Sequence, residues 1–224
     1  MALAVGRAVA FTSRMRALVI ANGESPSREL FEELLAGDPL VIAADGGARH
    51  ALAFDRVPDA VVGDLDSAGE AIRAAVPASH FHRDARLDTT DLEKAISFAV
   101  RQGITTIDIV GAGGGRSDHA LANLSVLALY RGVARLVMHD ELFAISLVEG
   151  EASVEGPAGT VISLVAIGEC RGVTTDGLRW ELEDFTLPFG PRGVHNEIAR
   201  SPATVRVRSG DLLLFRGRWI EKHL

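Results

Sequence analysis

The stretch Ala60-Val61-Val62-Gly63-Asp64-Leu65-Asp66-Ser67 constrains the fold most. Its apolar run is too short for a helix and ends abruptly in two carboxylates one residue apart. A strand buried on both faces delivers acids to the rim of a parallel sheet in this way. Asp64 and Asp66 then face the crevice beyond the strand ends, where open α/β sheets bind ligands. Two close carboxylates repel each other unless a cation lies between them or one stays protonated. Mg²⁺ suits such a pair, because it takes one or two carboxylates plus substrate phosphates. An isolated Asp-x-Asp can equally be a pair of solvated turn residues.

The chain around this stretch alternates strand and helix. Residues 16–21 read as a first strand, Ser25-Pro26 as the start of a helix with the stripe Leu30, Phe31, Leu34 and Leu35, and Leu40–Ala44 as a second buried strand ending in Asp45-Gly46-Gly47. A helix is expected around 68–75 and a short strand at 79–82. Thr90-Asp91-Leu92-Glu93 fits a capping box opening a helix that Gly103 ends. Ile104–Val110 is a β-branched strand, and a long helix over 117–130 is expected to turn Leu121, Leu124 and Ala128 to one face. Strands at 136–138 and 144–148 finish this half. The alternation predicts a mostly parallel sheet with right-handed crossovers over residues 16–149. From 150 to 224 the rhythm changes to short strands and glycine turns, with strands expected at 160–166, 179–182, 204–207 and 211–215. This predicts a small β-sandwich or half-barrel, more stable packed on a partner.

Several strands of the first half end in related chemistry. Asp45-Gly46-Gly47 follows one, Asp64-Leu65-Asp66 another, and Gly111-Ala112-Gly113-Gly114-Gly115-Arg116 a third. Parallel strands put these ends on one side of the sheet. Asp88 and Asp91 lie at a helix N-terminus, which favours negative charge and hence a phosphate. The glycine loop can bring bare N–H groups to phosphate oxygens, and Arg116 can add bidentate contacts. Asp118 opens the next helix as a cap or as a ligand to something polar. The loop lacks the spacing of dinucleotide and P-loop motifs, so an ordinary strand-to-helix turn is its other reading.

Composition narrows the partners. The net charge of −7 argues against a surface that grips nucleic acid, though not against a single nucleotide. Cys170 is the one cysteine, which rules out an intrachain disulfide and points to a reducing, cytoplasmic location. No apolar run approaches the length of a transmembrane span. Residues 1–15, with Arg7 and Arg14 and no acid, are expected to be a disordered extension or the product of an early start site, with Met15 as the alternative start. His80 and His82 show no metal spacing and read as structural, and Trp219 reads as a core residue.

Taken in order, Asp45-Gly46-Gly47, Gly63-Asp64-Leu65-Asp66-Ser67, Asp88-Thr89-Thr90-Asp91-Leu92-Glu93-Lys94-Ala95 and Gly111 through Asn123 closely resemble the thiamine pyrophosphokinase family. The resemblance continues through Gly177-Leu178-Arg179-Trp180-Glu181-Leu182 and Gly193-Val194-His195-Asn196-Glu197. It implies transfer of the pyrophosphoryl group of ATP to the thiamine hydroxyl, giving thiamine diphosphate and AMP. It also implies Mg²⁺ dependence and a homodimer with sites between subunits. By position, Asp64, Asp66 and Asp91 match the metal and catalytic acids. Asp45, Gly46, Gly47, Asp88, Thr90, Gly113, Gly114, Gly115, Arg116 and Asp118 match the ATP side, and Trp180, His195 and Asn196 the thiamine side. His195 departs from the family's usual serine and is either a substitute donor or a tolerated loop residue. Two other readings remain open at this level: a pyrophosphokinase for another alcohol, such as a hydroxymethylpterin, and a non-catalytic nucleotide or thiamine sensor.

Overall fold

The computed structural model describes residues 15–220, so the expected extension at residues 1–15 lies, apart from Met15, outside the described residues. In chain order the elements are β1 (Arg16–Ile20), α1 (Arg28–Leu35), β2 (Leu40–Ala44), α2 (Ala48–Ala53), β3 (Ala60–Gly63), α3 (Glu70–Ala75), β4 (Phe81–Arg83), α4 (Asp91–Arg101), β5 (Thr106–Val110), α5 (Ser117–Leu129), β6 (Arg135–His139) and β7 (Phe143–Leu147). A β-rich part follows, with β8 (Glu151–Val154), β9 (Thr160–Asp176), β10 (Phe185–Pro188), β11 (Asn196–Glu197), β12 (Ala203–Arg206) and β13 (Ser209–Ile220).

The strand order β4-β3-β2-β1-β5-β6 is parallel throughout. β2, and β1 after Arg16, are continuous apolar runs, as expected of strands covered on both faces. Leu18, Ile20 and Val41 pack against α1 residues Leu30, Phe31 and Leu34. Ala17, Val19 and Ile42 face the opposite way, onto α4 residues Leu92, Ala95, Ile96 and Ala99. The chain moves outward from β1 to β4 and then returns to β5 on the other side of β1. The β1/β5 boundary is therefore a topological switch point, where a crevice opens beyond the carboxyl ends of the strands.

The sheet does not stop at the end of this half. Asp140 Oδ1 accepts the backbone N–H groups of Leu142 and Phe143 at 2.8 and 2.7 Å, closing a tight turn that sets β7 antiparallel to β6. β13 then pairs with β7, and β9 with β13. β9 is far longer than the strand expected at 160–166. Its first half pairs with β13 and its last residues with β12, wrapping a second core that includes Ile162, Leu164, Val173, Leu187 and Val205.

Several local expectations need correction. The first helix is capped by Ser27, whose hydroxyl accepts from Leu30 N at 3.2 Å, and not by Ser25. Residues 179–182 form no strand: the chain bends there, just after an isolated bridge between Leu178 and Ile198. β8, β10 and β11 were not foreseen. α5 buries Val126 and Leu127, whereas Leu121 stands 60% exposed. That helix is apolar on nearly all sides, so the sequence pattern alone does not select the buried face. The histidine readings agree with the placement found, whereas Trp219 is half-buried near the end of β13 and outside the core clusters. His80 Nδ1 lies 2.8 Å from Pro58 O, His82 packs against Phe98, and Trp219 packs edge-on against Phe143.

Candidate active site

β2, β3 and α4 each bring one carboxylate to the same point. Asp45 follows β2 with φ of 44°, in the left-handed region, and is only 1% exposed. Its Oδ2 accepts the Ser67 N–H at 3.0 Å, while its Oδ1 is buried with no hydrogen-bond partner among the described residues. Asp64 follows β3; its Oδ1 accepts the Asp66 N–H at 3.1 Å across Leu65, whose φ is 68°. Asp91 is the first residue of α4, behind the complete Thr90–Glu93 capping box. Carboxylate oxygens of Asp45, Asp64 and Asp91 lie within 4.8 Å of one another. Gly63 makes this approach feasible, because a Cβ there would stand 2.8 Å from Asp45 Cβ and 3.0 Å from Asp91 Oδ1.

Burial, opposed by the Ser67 N–H and reinforced by the charges of Asp91, Asp66 and Asp64, raises the pKa of Asp45 to about 6. Beside these acids, the Lys94 ammonium donates to Asp91 Oδ1 at 2.9 Å with its side chain only 3% exposed. The set of oxygen donors and the orphaned Asp45 Oδ1 fit a hard divalent cation. Asp66 sits outside the three-oxygen group; its Oδ1 accepts the Ser67 hydroxyl at 2.9 Å on the exposed side. Asp45, expected among the nucleotide contacts, lies within the group.

A cavity of about 970 Å³ opens above Asp64 and Asp91. Its far wall is the paired turn at the switch point, where Gly23 N donates to Gly111 O at 2.7 Å and Glu24 N to Gly113 O at 2.9 Å. The approach is so close that a Cβ on Gly23 would stand 2.4 Å from Gly113 O. Gly114 and Gly115 line the cavity, with φ of 72° and 61°. Gly113 faces a smaller neighbouring cavity of about 290 Å³. Arg86 and Arg116 also line the large cavity, each paired with a nearby acid. Hydrogen bonds from Arg86 and Arg116 hold the Asp84 and Asp118 carboxyls at about 2. Asp88 is exposed outside the lining, and Thr90, which borders the cavity, is engaged in its cap. Gly46 and Gly47 are buried beneath the wall. A Cβ on Gly47 would stand 2.2 Å from Ile20 O, and one on Gly46 2.6 Å from Asn22 Nδ2.

The remaining expected residues form a separate group in the β-rich part. Trp180 is 53% exposed, with the Arg179 guanidinium 5.0 Å from its ring centroid. Arg179 also pairs with the buried Glu197. Asn196 bonds Trp180 in both directions, accepting its N–H at 3.2 Å and donating to its carbonyl at 2.6 Å. His195 has φ of 62°, and its N–H donates to Ser163 Oγ at 2.9 Å. None of Trp180, His195 and Asn196 lines the large cavity of their own chain.

Residues 31–138 match the family described as thiamin pyrophosphokinase, catalytic domain, and residues 149–212 match thiamin pyrophosphokinase, vitamin B1 binding domain. A thiamine pyrophosphokinase of Bacillus subtilis (strain 168) is 30% identical over 192 residues, spanning 79% of this chain and 86% of that protein. The chain belongs to the thiamine pyrophosphokinase family. Thiamine pyrophosphokinase 3 of Oryza sativa subsp. japonica is also 30% identical, over 76% of this chain and 74% of its own length. The fold agrees with solved structures of family members. The Bacillus subtilis enzyme superposes with a TM-score of 0.78 at 24% identity, covering 92% of this chain and all of that one. The Candida albicans enzyme gives 0.80 at 17% identity, covering 93% and 90%.

Lys94, Arg86 and the Asn22-Gly23-Glu24 turn belong to the cavity but were not among the expected site residues. Lys94 had a sequence signal: a lysine three residues after Asp91, beside the apolar positions Leu92, Ala95 and Ile96.

Proposed function

We propose that this chain transfers the pyrophosphoryl group of ATP to the hydroxyl of thiamine, giving thiamine diphosphate and AMP, in the cavity above Asp64 and Asp91. The observation that carries this reading is the gathering of Asp45, Asp64 and Asp91 beyond the carboxyl ends of β2 and β3, with Asp45 Oδ1 buried and unpartnered among the described residues, across the cavity from the switch-point turn. Asp45, Asp64 and Asp91 would hold Mg²⁺, with Asp66 at the exposed rim as a further carboxylate. When bound, the cation supplies positive charge against the phosphates of ATP.

The chain's own groups do the rest. Backbone N–H groups of Gly114 and Gly115 and the guanidinium of Arg116 bind phosphate oxygens. Arg86 adds a second guanidinium by leaving Asp84. Asp91 orients the thiamine hydroxyl and accepts its proton as the oxygen attacks the β-phosphorus and the bond to AMP breaks. Holding the two reactants in line supplies much of the acceleration.

Trp180 offers an aromatic face to the flat cationic substrate, with Asn196 fixing its backbone. These residues lie away from the cavity of their own chain, and Trp180, Phe189 and Val194 are exposed apolar groups. A homodimer in which the β-rich part of one protomer completes the cavity of its partner accounts for both facts. The match of residues 149–212 to a vitamin B1 binding domain favours thiamine over a pterin alcohol. None of the described helices is long and apolar enough to cross a membrane, and the lone, buried Cys170 suits a reducing cytoplasm. The test is AMP release from Mg·ATP with thiamine or hydroxymethylpterin as acceptor. Turnover with thiamine alone is expected. AMP formed with the pterin alone, or tight thiamine binding without turnover, overturns the assignment.

A further inference from the structure

Burying an ammonium is costly unless it is paired and its hydrogen bonds are made. Lys94 lies on α4 beside Leu92, Ala95 and Ile96, at the border of the cavity. It has three donors, and the bond it makes with the described residues goes to Asp91 Oδ1. That same oxygen is confined on its other side by the backbone of β3, where there is no room for a Cβ at Gly63. Asp91 Oδ2 accepts no hydrogen bond from the described residues. The charges facing Lys94 are Asp91, Asp64 and Asp84, the last of them carrying Arg86.

We infer that Lys94 is a positioning residue. It clamps Asp91 Oδ1 and leaves Oδ2 for the reacting hydroxyl or the cation. It also sets the charge of the floor: three carboxylates and one ammonium leave two negative charges, which one divalent cation neutralises. Without Lys94 the floor would carry a third negative charge, attract the bare cation more strongly, and repel the polyphosphate even when loaded. The inference rests on the pyrophosphoryl-transfer reading and on Asp45, Asp64 and Asp91 as the cation site.

The test uses the full chain with Lys94→Met and Lys94→Arg. Mn²⁺ binding is measured by electron paramagnetic resonance without nucleotide, and AMP release by steady-state kinetics. Lys94→Met is expected to bind Mn²⁺ about tenfold more tightly, from removal of a like charge in a partly desolvated site. Its kcat should fall about 100-fold, the cost of a misplaced reacting group, with the KM for thiamine within threefold of wild type. Lys94→Arg keeps the charge and should return the Mn²⁺ affinity to within threefold and regain at least tenfold in kcat over Lys94→Met. If Lys94 acts through Asp91, the double variant Lys94→Met with Asp91→Asn is no slower than Asp91→Asn alone.

A purely structural lysine would lower Mn²⁺ affinity, kcat and melting temperature together, and its loss would add to that of Asp91. Unchanged or weaker Mn²⁺ binding in Lys94→Met, or a kcat within threefold of wild type, overturns the inference. If Lys94→Met fails to fold, Lys94→Gln takes the same measurements with the same deciding outcomes. A wild-type chain that binds Mn²⁺ but releases no AMP overturns the transfer reading instead, and the Mn²⁺ comparison still decides the role of Lys94.

Discussion

Gly63→Ala isolates the geometry on which the site depends. Nothing in the strand itself opposes alanine, since Gly63 ends β3 in a backbone region open to any residue and glycine within strands is intrinsically unfavourable. The obstacle is space. The new methyl group would stand 2.8 Å from Asp45 Cβ and 3.0 Å from Asp91 Oδ1. Carbon–carbon contacts are comfortable at about 3.5–4.0 Å, so Asp45 must retreat by about 1 Å. Asp45 cannot retreat freely, because it is buried and its Oδ2 is held by the Ser67 N–H. Overpacking of this kind costs about 1–3 kcal/mol, which for a chain of this size lowers the melting temperature by roughly 2–12 °C. A displacement of about 1 Å at reacting groups costs about 100-fold in rate. Thermal unfolding and AMP release should therefore show a folded protein, modestly destabilised, with kcat down about two orders of magnitude. A folded Gly63→Ala enzyme with kcat within threefold of wild type would refute the claim that these carboxylates must close to their present spacing.

Asp45→Asn should abolish turnover yet raise stability without metal at pH 7. Folding raises the Asp45 pKa from an ordinary carboxylate value to about 6, so stability is lost as pH rises between roughly 4 and 6 and the cost is full above that. Urea unfolding in EDTA should show Asn ahead by about 1–3 kcal/mol at pH 7 and level with wild type near pH 4; the opposite trend contradicts the burial argument. Trp180→Ala should leave the fold intact, because the side chain is half exposed, and raise the KM for thiamine about 5- to 30-fold, as loss of an aromatic contact worth about 1–2 kcal/mol implies. An unchanged KM removes Trp180 from the substrate site. Mixing Asp91→Asn and Trp180→Ala chains by co-refolding should restore activity through one intact site per mixed dimer; a mixture no better than its components excludes a shared site.

Local signals carried much of the fold. β2, β3 and the part of β1 after Arg16 are uninterrupted apolar runs, and the Thr90–Glu93 box marks the start of α4 to the residue. What escaped depends on contacts distant in sequence. The place of Asp45 in the floor follows from its positive φ and from the absence of a side chain at Gly63, neither of which a carboxylate pattern reveals. Gly46 and Gly47, which the resemblance places on the ATP side, are buried in close packing against the β1 turn, a placement that follows from contacts distant in sequence. β9 runs well past the strand expected at 160–166, because Gly168 and Gly172 lie inside it with positive φ where glycines elsewhere in this half mark turns. The separation of Trp180 from the cavity is invisible in a linear motif, since it is a matter of where two parts of the chain lie.

The central claim is that Asp45, Asp64 and Asp91 together hold one divalent cation. Crystals soaked in Mn²⁺ and measured at the manganese absorption edge test it directly. The account predicts one anomalous peak about 2.0–2.3 Å from an oxygen of each of the three carboxylates, the range for hard cations on oxygen ligands. A peak bound on the outer side by Asp66 and Asp118 with Asp45 still unliganded, or no peak in the cavity at all, would contradict it.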